Sequence, residues 1–195
     1  MVVTRARAAF VLAAIGIFAV EVAWAADAEM TNLALHKTAT ASSSEEANPP
    51  QNAVDGDPDT RWCNSDSSAD AWWQVDLGTP QLLGGCEITW EHDSTVYKYV
   101  VEGSADGKSW TILNDQRGSR NNNELQKLSL LSSKDPVRYL RVRTTELEDG
   151  SWASFFEVKV FDAASIGKLG PDAAKAFAPS APVMTTTAPA ATAPN

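Results

Sequence analysis

The stretch Asn52-Ala53-Val54-Asp55-Gly56-Asp57-Pro58-Asp59-Thr60-Arg61-Trp62 gathers three carboxylates, a glycine and a threonine hydroxyl into one short run. Oxygen donors crowded in this way suit a hard cation, calcium first among them. Asp, Gly and Pro are also the ordinary material of a solvated turn, so the residues alone leave a cation loop and an acidic turn both open. An EF-hand does not fit. Asp55, Asp57 and Asp59 alternate as that loop requires, but Thr60 stands where its sharp turn needs glycine, and no helical pattern flanks the run.

The elements that must position such a loop read as strands. Cys86, Ile88 and Trp90 alternate with Glu87, Thr89 and Glu91, the period of a strand buried on one face. The same alternation runs through residues 73–77, 97–101, 137–143 and 156–160, with turn signals at Asp106-Gly107 and Asp149-Gly150. Several half-buried strands without an amphipathic helix predict an all-β fold, an antiparallel β-sandwich of the jelly-roll kind. Six of the seven Trp lie within this span and are expected to pack between the sheets. The polar run from Arg117 to Asn123 reads as an exposed loop, whose amides either close turns or hold hydroxyl groups.

The ends of the chain are of different character. Arg5 and Arg7 precede an apolar run from Ala8 to Val20, and Ala23-Trp24-Ala25 follows. This pattern predicts a secretory signal over residues 1–25, cut after Ala25 or Ala26; its apolar run is shorter than the roughly 20 residues that span a bilayer. From residue 163 to 195 the chain turns to Ala, Pro and Thr, and a disordered tail is expected there. One domain, residues 30–162, remains. The chain carries a formal net charge of -9, and the signal segment, with two Arg and one Glu, leaves the remainder more acidic still. Without a basic cluster, nucleic acid and anionic membranes are not expected partners. Cys63 and Cys86 are the two cysteines, and in an exported protein such a pair predicts a disulfide, with two separate buried thiols as the alternative.

Six short motifs stand in order along the domain: Asn32-Leu33-Ala34, then residues 53–57 with Thr60-Arg61-Trp62, Trp73-Gln74-Val75-Asp76-Leu77-Gly78, Ser104-Ala105-Asp106-Gly107-Lys108-Ser109-Trp110, residues 137–142, and residues 152–158. Together they resemble the discoidin superfamily, or coagulation-factor C-type domains, which have the galactose-binding-like fold, and most of all its bacterial family thirty-two carbohydrate-binding modules. The resemblance covers about residues 32–161. It implies a structural calcium ion held by the backbone carbonyls of Asn52, Asp57 and Phe156, the carboxylates of Asp55 and Glu157, and the carbonyl and hydroxyl of Thr60. It also directs attention to loops at one end of the sandwich for ligand recognition. There His92, Arg117, Arg120, Asn122 and Trp152 are the candidates, an aromatic face for a sugar's C–H side and polar groups for its hydroxyls.

Enzyme chemistry finds little footing. The resemblance assigns the key carboxylates to calcium rather than to a glycosidase pair, and no Gly-x-Ser-x-Gly elbow, zinc signature or phosphate-cradling glycine loop occurs. The first loop, residues 42–50, is polar and acidic, which argues against insertion into an anionic bilayer. The expectation is therefore a secreted, periplasmic or cell-surface module that binds galactose-type or other glycans without altering them. A cell-surface adhesion module with a protein partner, and an accessory part of a glycoside-degrading enzyme system, are the alternatives.

Overall fold

The computed structural model describes residues 30–130, 134–148 and 150–177. The expected signal segment and residues 178–195 lie outside the described residues. Within them, two antiparallel sheets face one another. The five-stranded sheet has the order β1 (Thr38–Ala41), β3 (Trp72–Gln81), β8 (Val137–Glu146), β5 (Lys98–Ser104) and β6 (Thr111–Asp115). The four-stranded sheet has the order β2 (Trp62–Cys63), β9 (Ser154–Asp162), β4 (Leu83–Trp90) and β7 (Leu125–Ser129). The five alternating runs of the sequence all fall in strands, and the chain is the nearly all-β sandwich those runs predict.

The inward positions carry large rings. Trp62, Trp73, Trp90, Tyr97, Tyr99 and Phe155 are all buried. Trp90 stacks on Tyr97 with ring centroids 3.9 Å apart, and Phe155 meets Trp73 and Trp90 edge-on at 5.5 Å each. Rings of this size fill the space between two sheets with few side chains, which is why a short domain can afford a single core. The turn at Asp106-Gly107 is held by the Asp106 carboxylate, which accepts from the Lys108 and Ser109 N–H groups, while Gly107 takes a φ of +73°. Those N–H groups hold the Asp106 carboxyl at about 2, below the usual carboxylate range.

Two expectations are corrected. Cys63 and Cys86 form no disulfide; both are free and buried. They stand in β2 and β4 on opposite sides of β9, where Cys63 pairs with Ser154 and Cys86 with Val160. At about 3.3 Å per residue that offset separates them by roughly 20 Å, far beyond the ~7 Å that a bridge tolerates between Cα atoms. Burial pushes both thiols up. The melting temperature is therefore expected to be the same with and without reductant, and both thiols to alkylate only on unfolding; a shift on reduction would contradict the free pair.

The second correction concerns the first part of the expected tail, residues 163–177, since residues 178–195 lie outside the described residues. Ordered structure continues past Asp162 through α1 (Ala163–Gly167) and α2 (Pro171–Lys175) to Phe177. Asp162 caps α1 by accepting from the Ser165 N–H at 2.8 Å, and Ile166 and Phe177 are buried. Ile166, Leu169 and Phe177, spaced through an Ala-rich stretch, suffice to seat it on the sheet, where composition alone reads as disorder.

Candidate functional site

The Asp-rich run folds as a tight loop between a 3-10 turn (Pro50–Val54) and β2. Gly56 sits at φ +79°, a conformation that side chains resist, and there the chain reverses. Asp55 Oδ1 accepts from the Asp57 N–H at 2.9 Å, and Asp57 Oδ1 from the Asp59 N–H at 3.0 Å. Thr60 Oγ1 then lies 2.8 Å from Asp55 Oδ2, 3.2 Å from the Asp57 carbonyl and 3.5 Å from the Asn52 carbonyl. One hydroxyl has one proton to donate, so these four converging oxygens share a single hydrogen among them. Such a cluster lacks positive charge.

β9 completes the loop from across the molecule. Residues Thr89 and Trp90 of β4 pair with Glu157 and Phe155, so Phe156 is an extra residue, a bulge in β9. Bulges re-aim the chain beside functional sites, and this one lies where β9 meets the Asp-rich loop. Glu157, only 7% exposed, accepts from the Gly56 N–H through Oε2 at 3.3 Å, while its Oε1 has no partner. Burial, and then the nearby Asp55 charge, pushes its carboxyl up to about 7. Five of the six residues expected as cation ligands, Asn52, Asp55, Asp57, Thr60 and Glu157, are linked by these contacts, with Phe156 next to Glu157 in the bulge, and the orphaned buried carboxylate oxygen fits a cation there. Among the described residues no cluster of three His, Cys, Asp or Glu forms a metal site. This one would rest on two carboxylates, a hydroxyl and carbonyls, an all-oxygen set of the kind calcium takes.

The second candidate lies at the end of the sandwich where β4 and β6 finish and β7 and β9 begin. The loops there are tied to one another by their backbones. Trp90 N–H donates to the Glu124 carbonyl at 2.9 Å, Ser94 N–H to the Asn122 carbonyl at 2.8 Å, and Glu91 N–H to the Ser154 carbonyl at 3.2 Å. The loops of His92, Asn122 and Trp152 therefore share one rim. His92 is exposed, with Nε2 3.7 Å from Glu91 Oε2, and Trp152 is 43% exposed, unusual for an indole. Arg120 and Asn122 are exposed side chains of the same polar loop. Arg117 is less free than its position suggests: its Nε lies 2.9 Å from Asp115 Oδ1, and this ion pair raises the guanidinium and lowers the carboxyl.

Two supporting residues escaped the sequence reading. Gln126, buried, donates through Nε2 to the Asn123 carbonyl at 3.2 Å and accepts from the Tyr99 hydroxyl at 2.7 Å, so it holds the Asn-rich loop from beneath. A Gln at an inward position between Leu125 and Leu128 was the available signal. Arg61, directly after Thr60, pairs with Glu91 at 3.0 Å and so joins the Asp-rich loop to the rim. The three bonded loops carry Glu91, Asp93, Glu124 and Glu148 against Arg117 and Arg120, an acidic balance.

The sequence pattern of the F5/8 type C domain matches residues 38–158. In structure, the chain is similar to CpGH89CBM32-4 of Clostridium perfringens, solved in complex with GlcNAc-alpha-1,4-galactose, with a TM-score of 0.60 and 21% identity over 70% of this chain and 97% of that one. It is similar to chitosan-binding module 1 of a chitosanase/glucanase from Paenibacillus sp. IK-5, with a TM-score of 0.59 and 26% identity over 67% and 98%. In sequence it is 28% identical to a galactose oxidase of Gibberella zeae over 149 residues, covering 68% of this chain and only 22% of that protein's length.

Proposed function

The chain belongs to the F5/8 type C domain family, and from that premise we propose that it is a secreted, non-catalytic carbohydrate-binding module with a structural calcium ion. The observation that carries the reading is Trp152, 43% exposed on a rim where three loops are bonded together. An exposed indole offers a flat apolar face to the C–H side of a pyranose, and His92, Arg120 and Asn122 supply hydrogen bonds for the hydroxyls. Little loop ordering remains to be lost on binding when the loop backbones are tied beforehand.

Charge narrows the sugar. An acidic rim repels uronates and sulfated chains and favours a neutral or amino-bearing glycan. The likeness to a chitosan-binding module supports the same class. A single shallow site of this kind gives a dissociation constant of about 0.1–1 mM, or roughly 4–5.5 kcal/mol. Calcium, held by Asn52, Asp55, Asp57, Thr60, Phe156 and Glu157, would neutralise the oxygen cluster and tie β9 to the Asp-rich loop. The match to part of a galactose oxidase favours a second reading, in which such a module accompanies a carbohydrate-active enzyme.

The test is a glycan array probed with the protein in calcium, alongside Trp152→Ala. Selective binding to neutral or amino sugars, weakened at least about tenfold in the variant, is the expected outcome. An empty array would overturn the carbohydrate reading and favour adhesion to a protein partner.

A further inference from the structure

The segment after β9 lies beyond the span matched by the family, yet it is seated on the outer face of the four-stranded sheet. Gly84 and Gly85 of β4 make the seat. A Cβ at Gly84 would stand 2.7 Å from Ile166 Cγ1 and 2.8 Å from the Ala163 Cα, and one at Gly85 would stand 2.5 Å from Phe177 Cδ1. Only glycine permits so close an approach at both positions. Phe177 meets Phe161 edge-on with centroids 5.8 Å apart, and the Lys127 ammonium lies 5.6 Å from the Phe177 ring centre. Ala163 N–H donates to the Leu82 carbonyl at 2.9 Å, which fixes the start of the segment against β4.

The beginning of the domain is held at the same spot. Leu33 N–H donates to the Val160 carbonyl at 2.8 Å, and Val160 N–H to Asn32 Oδ1 at 3.0 Å. Met30 packs into the cluster of Phe161, Ile166 and Phe177. An open groove of about 600 Å³, lined by Met30, Leu35, Gly56, Glu157 and Phe161 among others, separates this cluster from the Asp-rich loop.

We propose that residues 163–177 are a terminal clasp, locking the first and last described segments of the domain together at the base of the sandwich. The working unit is then residues 30–177, longer at both ends than the matched span, residues 38–158. Because β9 starts at the rim and ends under the clasp, the first and last described segments both lie at the base. The rim of His92, Asn122 and Trp152 lies at the opposite end of β9 from the clasp.

Hydrogen exchange of the full chain, compared with Phe177→Ala and Gly85→Ala, tests this. The first variant empties the seat from the clasp side and the second fills it from the sheet side, so a folding failure of one leaves the other to decide. The wild type is expected to protect the Ala163 and Leu33 amides. Either variant should accelerate both amides together by roughly a hundredfold, the scale set by loss of a buried phenyl ring. Coupled acceleration supports the clasp whether it stays at the base or spreads to every strand. Unprotected Ala163 in the wild type, or a Leu33 amide that stays protected when the clasp opens, would overturn it.

Discussion

Replacing Phe155 by alanine is expected to lower the unfolding free energy by about 3–5 kcal/mol, among the largest effects available to a single core change. Phe155 is 1% exposed, and it touches the rings of Trp62, Trp73 and Trp90, with centroids between 4.9 and 5.5 Å. It belongs to β9, which pairs with β2 on one side and β4 on the other, so its loss opens a void that three indoles border and none can fill. Phe155→Leu keeps much of the volume and should cost less than about 1.5 kcal/mol. Denaturant titrations decide: the midpoint falls while the slope holds for both variants. Equal, small losses would mean that the aromatic contacts are loose.

The second large effect depends on the cation and changes sign with it. A ligand bound only by the folded state contributes about 2.7 kcal/mol at a hundredfold excess over its dissociation constant, so chelation should lower the melting temperature by roughly 10 °C. Glu157→Gln should abolish that sensitivity. In chelator the variant should be at least as stable as the wild type, because a buried carboxylate with an unpartnered oxygen beside Asp55 has been neutralised. In calcium it should be less stable, having lost a ligand. A difference between the two proteins that is the same in both buffers would make Glu157 an ordinary buried carboxyl and remove calcium from the account.

Two of the strands legible in the sequence are ones whose two faces differ, whereas β5 is buried on both faces and was legible by its run of Tyr and Val. Residues 86–91 and 137–143 alternate apolar and polar because one side meets the core, and they fall in β4 and β8. β1, β2, β6 and β7 gave no such signal for local reasons. β1 carries only Thr and Ala, β2 is two residues long, β6 exposes Ile112, and β7 buries Gln126. The Asp-rich loop was legible as a candidate because Asp55, Asp57 and Thr60 are close in sequence, while the ligand set, with Phe156 and Glu157 brought in from β9, was implied by the resemblance alone. The misread cysteines teach the converse. Two thiols in one chain say nothing of register, and a six-residue offset along β9 separates them. In the rim, Arg117 pairs with Asp115 two residues away, the ordinary surface pairing open to an exposed Arg beside an acid.

Whether the rim holds the glycan is decided most directly by nitrogen-15 spectra of the protein in calcium, titrated with a chitosan oligosaccharide and separately with galactose. The indole N–H of Trp152 and the backbone signals of His92 and Asn122 are expected to move together and saturate with one dissociation constant, for at least one of the two sugars. Shifts confined to other parts of the surface, or none with either sugar, would contradict the assignment of this rim as a carbohydrate site.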